Sequence, residues 1–137
     1  MAAGSNQPTI TVLAGSSNII YNNMVLSTNV VNYGASNSTL TIMGLISGSG
    51  GFTKSGSGTT VLVSSNTYTG ATVIENGTLV LAYIPESSST TNYILQGVTT
   101  LAVYNTNNYS NTNPITVGSG TGTVSYTHLT LPTKRIV

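Results

Sequence analysis

Residues 48–81 read GSGGFTKSGSGTTVLVSSNTYTGATVIENGTLVL, from Gly48 to Leu81. Gly-Gly, Gly-x-Gly and Asn-Gly turn signals alternate here with short Thr- and Val-rich runs in which every second residue is apolar. That pattern specifies brief strands separated by tight corners. The same strand type recurs outside the stretch at a near-constant interval. Leu40-x-Ile42, Thr60-x-Leu62, Leu79-x-Leu81 and Leu101-x-Val103 follow one another by 20, 19 and 22 residues, in the runs STLTIMG, GTTVLV, GTLVLA and TTLAVYN. A period near 20 is too short for paired-helix repeats and points to a solenoid of strands. Twenty residues fit three short strands and three corners. Alternation sends Leu40 and Ile42 inward and Thr39 and Thr41 outward, and predicts one internal ladder of Ile42, Leu62, Leu81 and Val103.

Further strands are expected at Thr9–Leu13, Ile19–Leu26, Val30–Tyr33, Phe52–Lys54, Ala71–Glu75, Tyr93–Leu95 and Pro114–Val117. No window carries the i, i+3, i+4, i+7 apolar pattern of a helix, and the abundance of Thr, Val, Asn and Gly opposes helix on propensity. A β-sandwich is the competing all-β architecture; the 20-residue register and the Gly-Ser-Gly corners weigh against it.

The segment from Gly48 to Leu81 resembles the autotransporter-associated β-strand repeat of type V secretion passenger domains. Gly50, Gly51, Lys54, Gly56, Gly58, the run Asn66-Thr67-Tyr68-Thr69-Gly70, and Gly77-Thr78-Leu79 carry the resemblance, and the repeat occupies about 44–82. Phe52 stands where that family more often has Leu, and Ala71 where a second Gly is common. The resemblance implies an all-β, right-handed parallel β-helix displayed on or shed from a bacterial surface, with the export signal upstream and an outer-membrane translocator barrel downstream. It implies no chemistry. Of the motif residues Gly50, Gly51, Lys54, Gly56, Gly58, Asn66, Tyr68, Gly70, Gly77 and Leu79, all are expected to be structural.

Composition agrees with a secreted solenoid. Only 4% of the 137 residues are charged, against about 25% in ordinary globular proteins. Ser, Thr and Asn supply the polar share instead, with 18, 24 and 15 residues. Without Cys there are neither disulfides nor thiolate metal sites, and a solenoid does without such staples because each rung is held by its neighbours. Met1-Ala2-Ala3-Gly4 has neither the basic start nor the apolar core of a signal peptide. No apolar run approaches the roughly 20 residues of a membrane helix.

The character of the chain changes at Val124, from which it reads VSYTHLTLPTKRIV. This segment resembles a translated sequencing adapter of the transposase type: the adapter end, read in one frame, gives Val124 to Thr133. An index and the following adapter bases then give Lys-Arg-Ile-Val and a stop after Val137. Residues 1–123 are therefore expected to be the native β-helix fragment and 124–137 an adapter-derived tail without a place of its own in the rung pattern, although Val124 to Leu131 can pair onto an exposed last rung by strand propensity alone. Lys54, Glu75 and Glu86 are then the only charges of the native part.

Catalysis is not expected. There is no Asp, and the single His, His128, lies in the tail. A Ser-His-Asp triad is excluded, and paired-carboxylate chemistry would need Glu75 and Glu86 to converge without help. Both read as solvated turn carboxylates beside Asn76-Gly77 and Pro85. No catalytic, cofactor or metal residues are assigned. Lys54 reads as a charge guarding a turn against association, with a ligand role as the alternative. No GK[ST] follows the glycines, so they form no phosphate loop, and no basic patch supports nucleic-acid binding.

Tyr21, Tyr33, Tyr68, Tyr83, Tyr93, Tyr104 and Tyr109 read as caps at core ends with their hydroxyls in water; a row of them stacking on sugars is the functional alternative. The sequence thus points to a structural passenger stalk supporting secretion-coupled folding and surface display or adhesion, with a host or neighbouring-cell surface as a possible partner. The alternative is a surface-binding solenoid, for ice or glycan, using Tyr rows or the pairs Thr9-x-Thr11, Thr39-x-Thr41 and Thr67-x-Thr69. Their spacings of 30 and 28 residues do not keep the register.

Overall fold

The computed structural model describes residues 7–82, 92–104 and 115–127. Three sides repeat along the chain. The first side is built by β1 (Thr9–Val12), β4 (Val30–Gly34), β7 (Phe52–Ser55) and β9 (Thr72–Ile74). The second is built by β2 (Ser17–Ile20), β5 (Thr39–Ile42), β8 (Thr59–Leu62) and β10 (Gly77–Leu81). On the third side lie β3 (Met24–Leu26) and β6 (Ile46–Gly48). β11 (Tyr93–Tyr104) and β12 (Ile115–Thr127) each run along both the first and second sides, so the two sides join through β11 into one ten-stranded sheet. Every pairing is parallel, and the described residues include no helix. The chain is a parallel β-solenoid.

Period-2 alternation fixes which face of each strand fills the interior, and the constant period stacks like on like. Ile20, Ile42, Leu62, Leu81 and Val103 are successive partners in one column. From Ile42 onward each member is at most 4% exposed. The four-residue ladder expected from the sequence is therefore present. Beside it run Leu40, Thr60, Leu79 and Leu101, all nearly inaccessible. Each fully buried aliphatic contributes on the order of 1.5–3 kcal/mol, and since every member touches the rungs above and below, that stabilisation is shared between neighbours.

Two strand expectations need correction. Ile19–Leu26 is not one strand: the chain turns at 21–23 between β2 and β3. Asn23 explains the turn, because its Oδ1 accepts a hydrogen bond from the Leu45 amide at 2.8 Å and so satisfies the next rung where no strand can. β6 was not expected at all. It is only three residues long, and one buried side chain, Ile46, holds it to the core.

The start of the tail pairs onto the last rung, as its strand propensity allows. Val124, Ser125, Tyr126 and Thr127 continue β12 and pair in register with Leu101, Ala102, Val103 and Tyr104, and Val124 packs partly against the core. An open sheet edge accepts any stretch with strand propensity, so this pairing requires nothing of the segment's origin. Residues 128–137 lie outside the described residues.

Outward-facing columns decide the surface. The pairs Thr9-x-Thr11, Thr39-x-Thr41 and Thr67-x-Thr69 stand on the first, second and third sides respectively, so they form no common array. Register instead aligns Ser17, Thr39, Thr59, Thr78, Thr100 and Thr123 on the second side. The adjacent column is Ile19, Thr41, Val61, Val80, Ala102 and Ser125. Aliphatic and hydroxyl side chains mix there, and a two-row threonine lattice is not built. Nor do the tyrosines whose side chains are described form a row. Tyr21 and Tyr33 are exposed on different sides, whereas Tyr68 and Tyr93 are each 4% exposed in the core. Tyr83 and Tyr109 lie outside the described residues.

Candidate functional site

The motif residues gather at the three corners of the solenoid, and Lys54 marks the first. Alternation along β7 points Phe52 and Lys54 inward, and both are fully buried. Lys54 shares a column with Asn32 below and Ile74 above. Its stem is therefore part of the core, and only its head is polar. Nζ donates to the carbonyls of Ser55 at 2.8 Å and Gly56 at 2.7 Å, with Asn76 O at 3.5 Å. Burial pulls the ammonium down to about 8 from its ordinary 10.5, while the carbonyl dipoles act in the opposite sense by favouring the charged form. The expectation that Lys54 guards an exposed turn is thus overturned: it ties the corner from inside.

Glycines make room for that head. Gly56 and Gly77 have positive φ, 76° and 74°. A side chain at Gly77 would run into the carbonyl oxygens of Gly56 and Gly58 and approach Lys54 Nζ at 3.0 Å. Lys54, Gly56, Gly58 and Gly77 are 23 residues apart at most in sequence and form one unit in space. Above Gly77 in the same column sits Thr99, whose hydroxyl is buried without a hydrogen-bond partner among the described residues.

At the second corner, where the third side returns to the first, Gly50 and Gly51 face Gly70. Gly70 N donates to Gly50 O at 3.1 Å and Thr69 N to Gly48 O at 3.0 Å. The backbones approach so closely that a Cβ on Gly70 would collide with both Gly50 and Gly51. Tyr68 seals this corner from within. Its ring centroid is 6.5 Å from that of Phe52 at a tilt of 43°, and its hydroxyl lies 2.6 Å from Thr72 Oγ1. Burial, with Tyr93 nearby, pushes the Tyr68 phenol well above its usual range against the opposing pull of the Thr72 hydroxyl. The hydroxyl is not in water as the sequence reading had it.

Asn66 makes the third corner. Its Oδ1 accepts from Ile46 N on the rung below at 2.8 Å, whereas Asn23 accepts from Leu45 N on the rung above it, so the two side chains hold the same middle rung from opposite sides. Thr67 N then donates to Ile46 O at 2.8 Å, so the chain at 66–69 continues the third side without a regular strand. Leu79, the last motif residue, is fully buried in the column of Leu40, Thr60 and Leu101.

Sequence reasoning missed a polar link across the interior. Asn32 is inaccessible; its Nδ2 donates to Ile10 O at 3.1 Å, and its Oδ1 accepts from the Thr60 hydroxyl. Thr60 occupies an apolar position between Leu40 and Leu79. That mismatch within an otherwise aliphatic ladder was the available signal. Buried polar groups need partners, and these two residues satisfy each other across two rungs.

For chemistry the arrangement offers little. Glu75 is exposed, and its backbone amide donates to Lys54 O at 2.8 Å. Glu86 and His128 lie outside the described residues. Among the described residues no group of three or more His, Cys, Asp or Glu converges, and no helix is long and apolar enough to cross a membrane.

The fold and its corners define a repeat solenoid whose buried columns and glycine contacts serve rung stacking. Residues 52–81, from the start of β7 to the end of β10, match the family model described as passenger-associated-transport-repeat. The chain therefore carries an autotransporter passenger repeat, as the resemblance of the Gly48–Leu81 stretch implied. Comparisons with curated proteins and with solved structures give no match.

Proposed function

We propose that this chain is a structural segment of a bacterial autotransporter passenger. It serves as a stalk that supports secretion-coupled folding and carries surface display or adhesion. Its partners in this reading are an outer-membrane translocator barrel in the full-length protein and a host or neighbouring-cell surface. The observation that carries the proposal is the rung-on-rung register of the matched repeat. Residues 59–62 pair with 39–42 on one side and 78–81 on the other, so each new rung folds on a finished template. Such growth needs no energy source beyond folding itself, which biases the movement of an emerging chain outward. The proposal includes no enzymatic role, in keeping with interior polar groups that bind one another and exposed columns that carry hydroxyl, amide and aliphatic groups. Residues 124–137 are, in the same reading, an adapter-derived extension of the native segment.

A direct test places this chain between an export signal and a translocator barrel and compares it with its Gly70→Val variant, which drives a side chain into Gly50 and Gly51. Surface yield of the variant should fall severalfold while the amount of inserted barrel stays the same. Equal surface yield from a variant whose rungs are unfolded by hydrogen exchange would overturn the proposal.

A further inference from the structure

Of the 15 asparagines, Asn76 alone precedes a glycine, and we propose that it is a self-modification site. The Gly77 nitrogen closes on the Asn76 side chain with loss of ammonia, and the resulting imide opens with water chiefly to isoaspartate, directed by Lys54. The corner itself imposes the susceptible pair. Gly77 has φ 74°, and a side chain there would strike the carbonyl oxygens of Gly56 and Gly58. No larger residue can therefore follow Asn76 and shield its side-chain amide. Among the described residues the other positive-φ glycines, Gly15, Gly48, Gly56, Gly97 and Gly120, follow Ala, Ser, Ser, Gln and Ser. Only the Lys54 corner combines the glycine with an asparagine.

The reacting atoms already face each other. Gly77 N donates to Asn76 Oδ1 at 2.8 Å, and Asn76 is exposed to the solvent that supplies base and water. Hydroxide takes the Gly77 amide proton, and the nitrogen bonds to Asn76 Cγ. The Cγ–Nδ2 bond breaks and Nδ2 leaves as ammonia with a proton from water, which closes a five-membered imide and regenerates the hydroxide. Asn37-Ser38, the one Asn-Ser pair in the chain, is built differently. Ser38 N donates to Ala35 O at 3.1 Å, so the backbone rather than the preceding side chain holds that nitrogen.

Lys54 decides how the imide opens. Water attacking Cγ restores the ordinary backbone, now as aspartate. Water attacking the former main-chain carbonyl carbon breaks its bond to Gly77 N, routes the backbone through Cβ and Cγ, and leaves an α-carboxyl group that ionises. The second path develops negative charge on the Asn76 main-chain oxygen, which lies 3.5 Å from Lys54 Nζ. A cation fixed beside an oxygen where charge develops favours that path. The isoaspartate product then offers Lys54 a carboxylate where it had a carbonyl.

Incubation of the folded chain at mildly alkaline pH tests this, read by intact mass, peptide mapping and an isoaspartate-specific methyltransferase. Mass should rise by about one dalton, at Asn76 before any other asparagine, and Asn76→Gln should abolish the gain. In Lys54→Met conversion should continue, with the ratio of isoaspartate to aspartate lowered severalfold. If that variant loses hydrogen-exchange protection in β7 and β10, the unaltered chain carries the same measurement. Its ratio should drop as pH rises past about 8, where Lys54 gives up its charge. An Asn76 that survives in the folded chain while the urea-unfolded chain converts it, or an earlier reaction at Asn37, would overturn the site. A ratio indifferent both to Lys54→Met and to pH would overturn the part assigned to Lys54.

Discussion

Lys54 Nζ donates to the carbonyl of Gly56 at 2.7 Å from a position with no solvent exposure. The corner between the first and second sides is thereby closed by a lysine from within, where the glycines leave carbonyls pointing at the interior. Two opposing terms meet at this atom. Burial disfavours the charge, and the carbonyls of Ser55 and Gly56 would lose their donor without it.

The pH dependence follows from the direction of each shift. Lys54 sits near 8 in the folded chain against 10.5 ordinarily, so between those values the unfolded chain holds more protons and stability rises with pH. At roughly 1.4 kcal/mol per unit the gain is at most about 3.5 kcal/mol, less whatever the carbonyls return. Tyr68 acts in the opposite sense: its raised phenol contributes stability below about pH 10 that is lost at higher pH. Urea midpoints should climb from pH 8 and turn over above about pH 10. A midpoint that is flat or falling between pH 8 and 10 would contradict this account.

Lys54→Met keeps the stem and removes the donor. Near pH 7 the relieved charge and the orphaned carbonyls nearly cancel, so the change should stay within about 1 kcal/mol. At pH 10 the neutral amine of the parent chain still donates, and the variant should be less stable by about 1–3 kcal/mol. Paired urea titrations at the two pH values read the difference directly; an equal effect at both would remove burial of the charge from the explanation.

Gly77→Ala should cost about 2 kcal/mol or more, because φ is positive and the new Cβ meets two carbonyls. Gly118→Ala is the milder comparison, since its Cβ would meet Leu95 O at 3.3 Å, a tight contact relieved by a shift of a few tenths of an ångström, and no positive φ is required. Its effect should stay below about 1 kcal/mol. Thermal or urea unfolding of both variants checks the contrast, and similar losses would show that the corner contact is not the cause.

Thr99→Val replaces a buried hydroxyl that has no partner among the described residues by an apolar group of the same shape. Leaving such a group unpaired carries a desolvation cost of about 1–3 kcal/mol, so the variant should be more stable, by up to about 1 kcal/mol. A clear loss of stability in urea unfolding would mean that the hydroxyl is bonded in solution.

Truncation separates the two parts of the tail. Removing 128–137 should leave the urea midpoint unchanged. Removing 124–137 exposes Leu101 and Val103, now 1% and 4% accessible, and should cost about 1–3 kcal/mol. The source gene, amplified without adapters, should carry other codons after Thr123. Finding the same fourteen residues there would refute an adapter origin.

The period and alternation of the aliphatic residues were legible because both are local properties of the chain. Once residues about 20 apart share a direction, stacking them is the only way to bury the inward side of every strand. Ile42, Leu62, Leu81 and Val103 therefore fell into one column, and the Gly and Asn corners of the repeat were readable from turn chemistry. The burial of Lys54 and Asn32 was not. Pattern reading sends a charged or amide side chain to water, yet at these positions partners arrive from elsewhere: Gly56 carbonyls turned inward by a positive φ, Asn76 from the next rung, Thr60 from the opposite side. The division of the 19–26 segment and the course of 124–127 were likewise set by neighbouring rungs, through Asn23 on Leu45 and an open edge at β11. The sequence by itself determined the repeat, the strands and the aliphatic columns, since hydrophobic periodicity alone encodes them. Only the tertiary structure decided which polar groups enter the core, because a buried donor is tolerated only where the folded chain presents an acceptor.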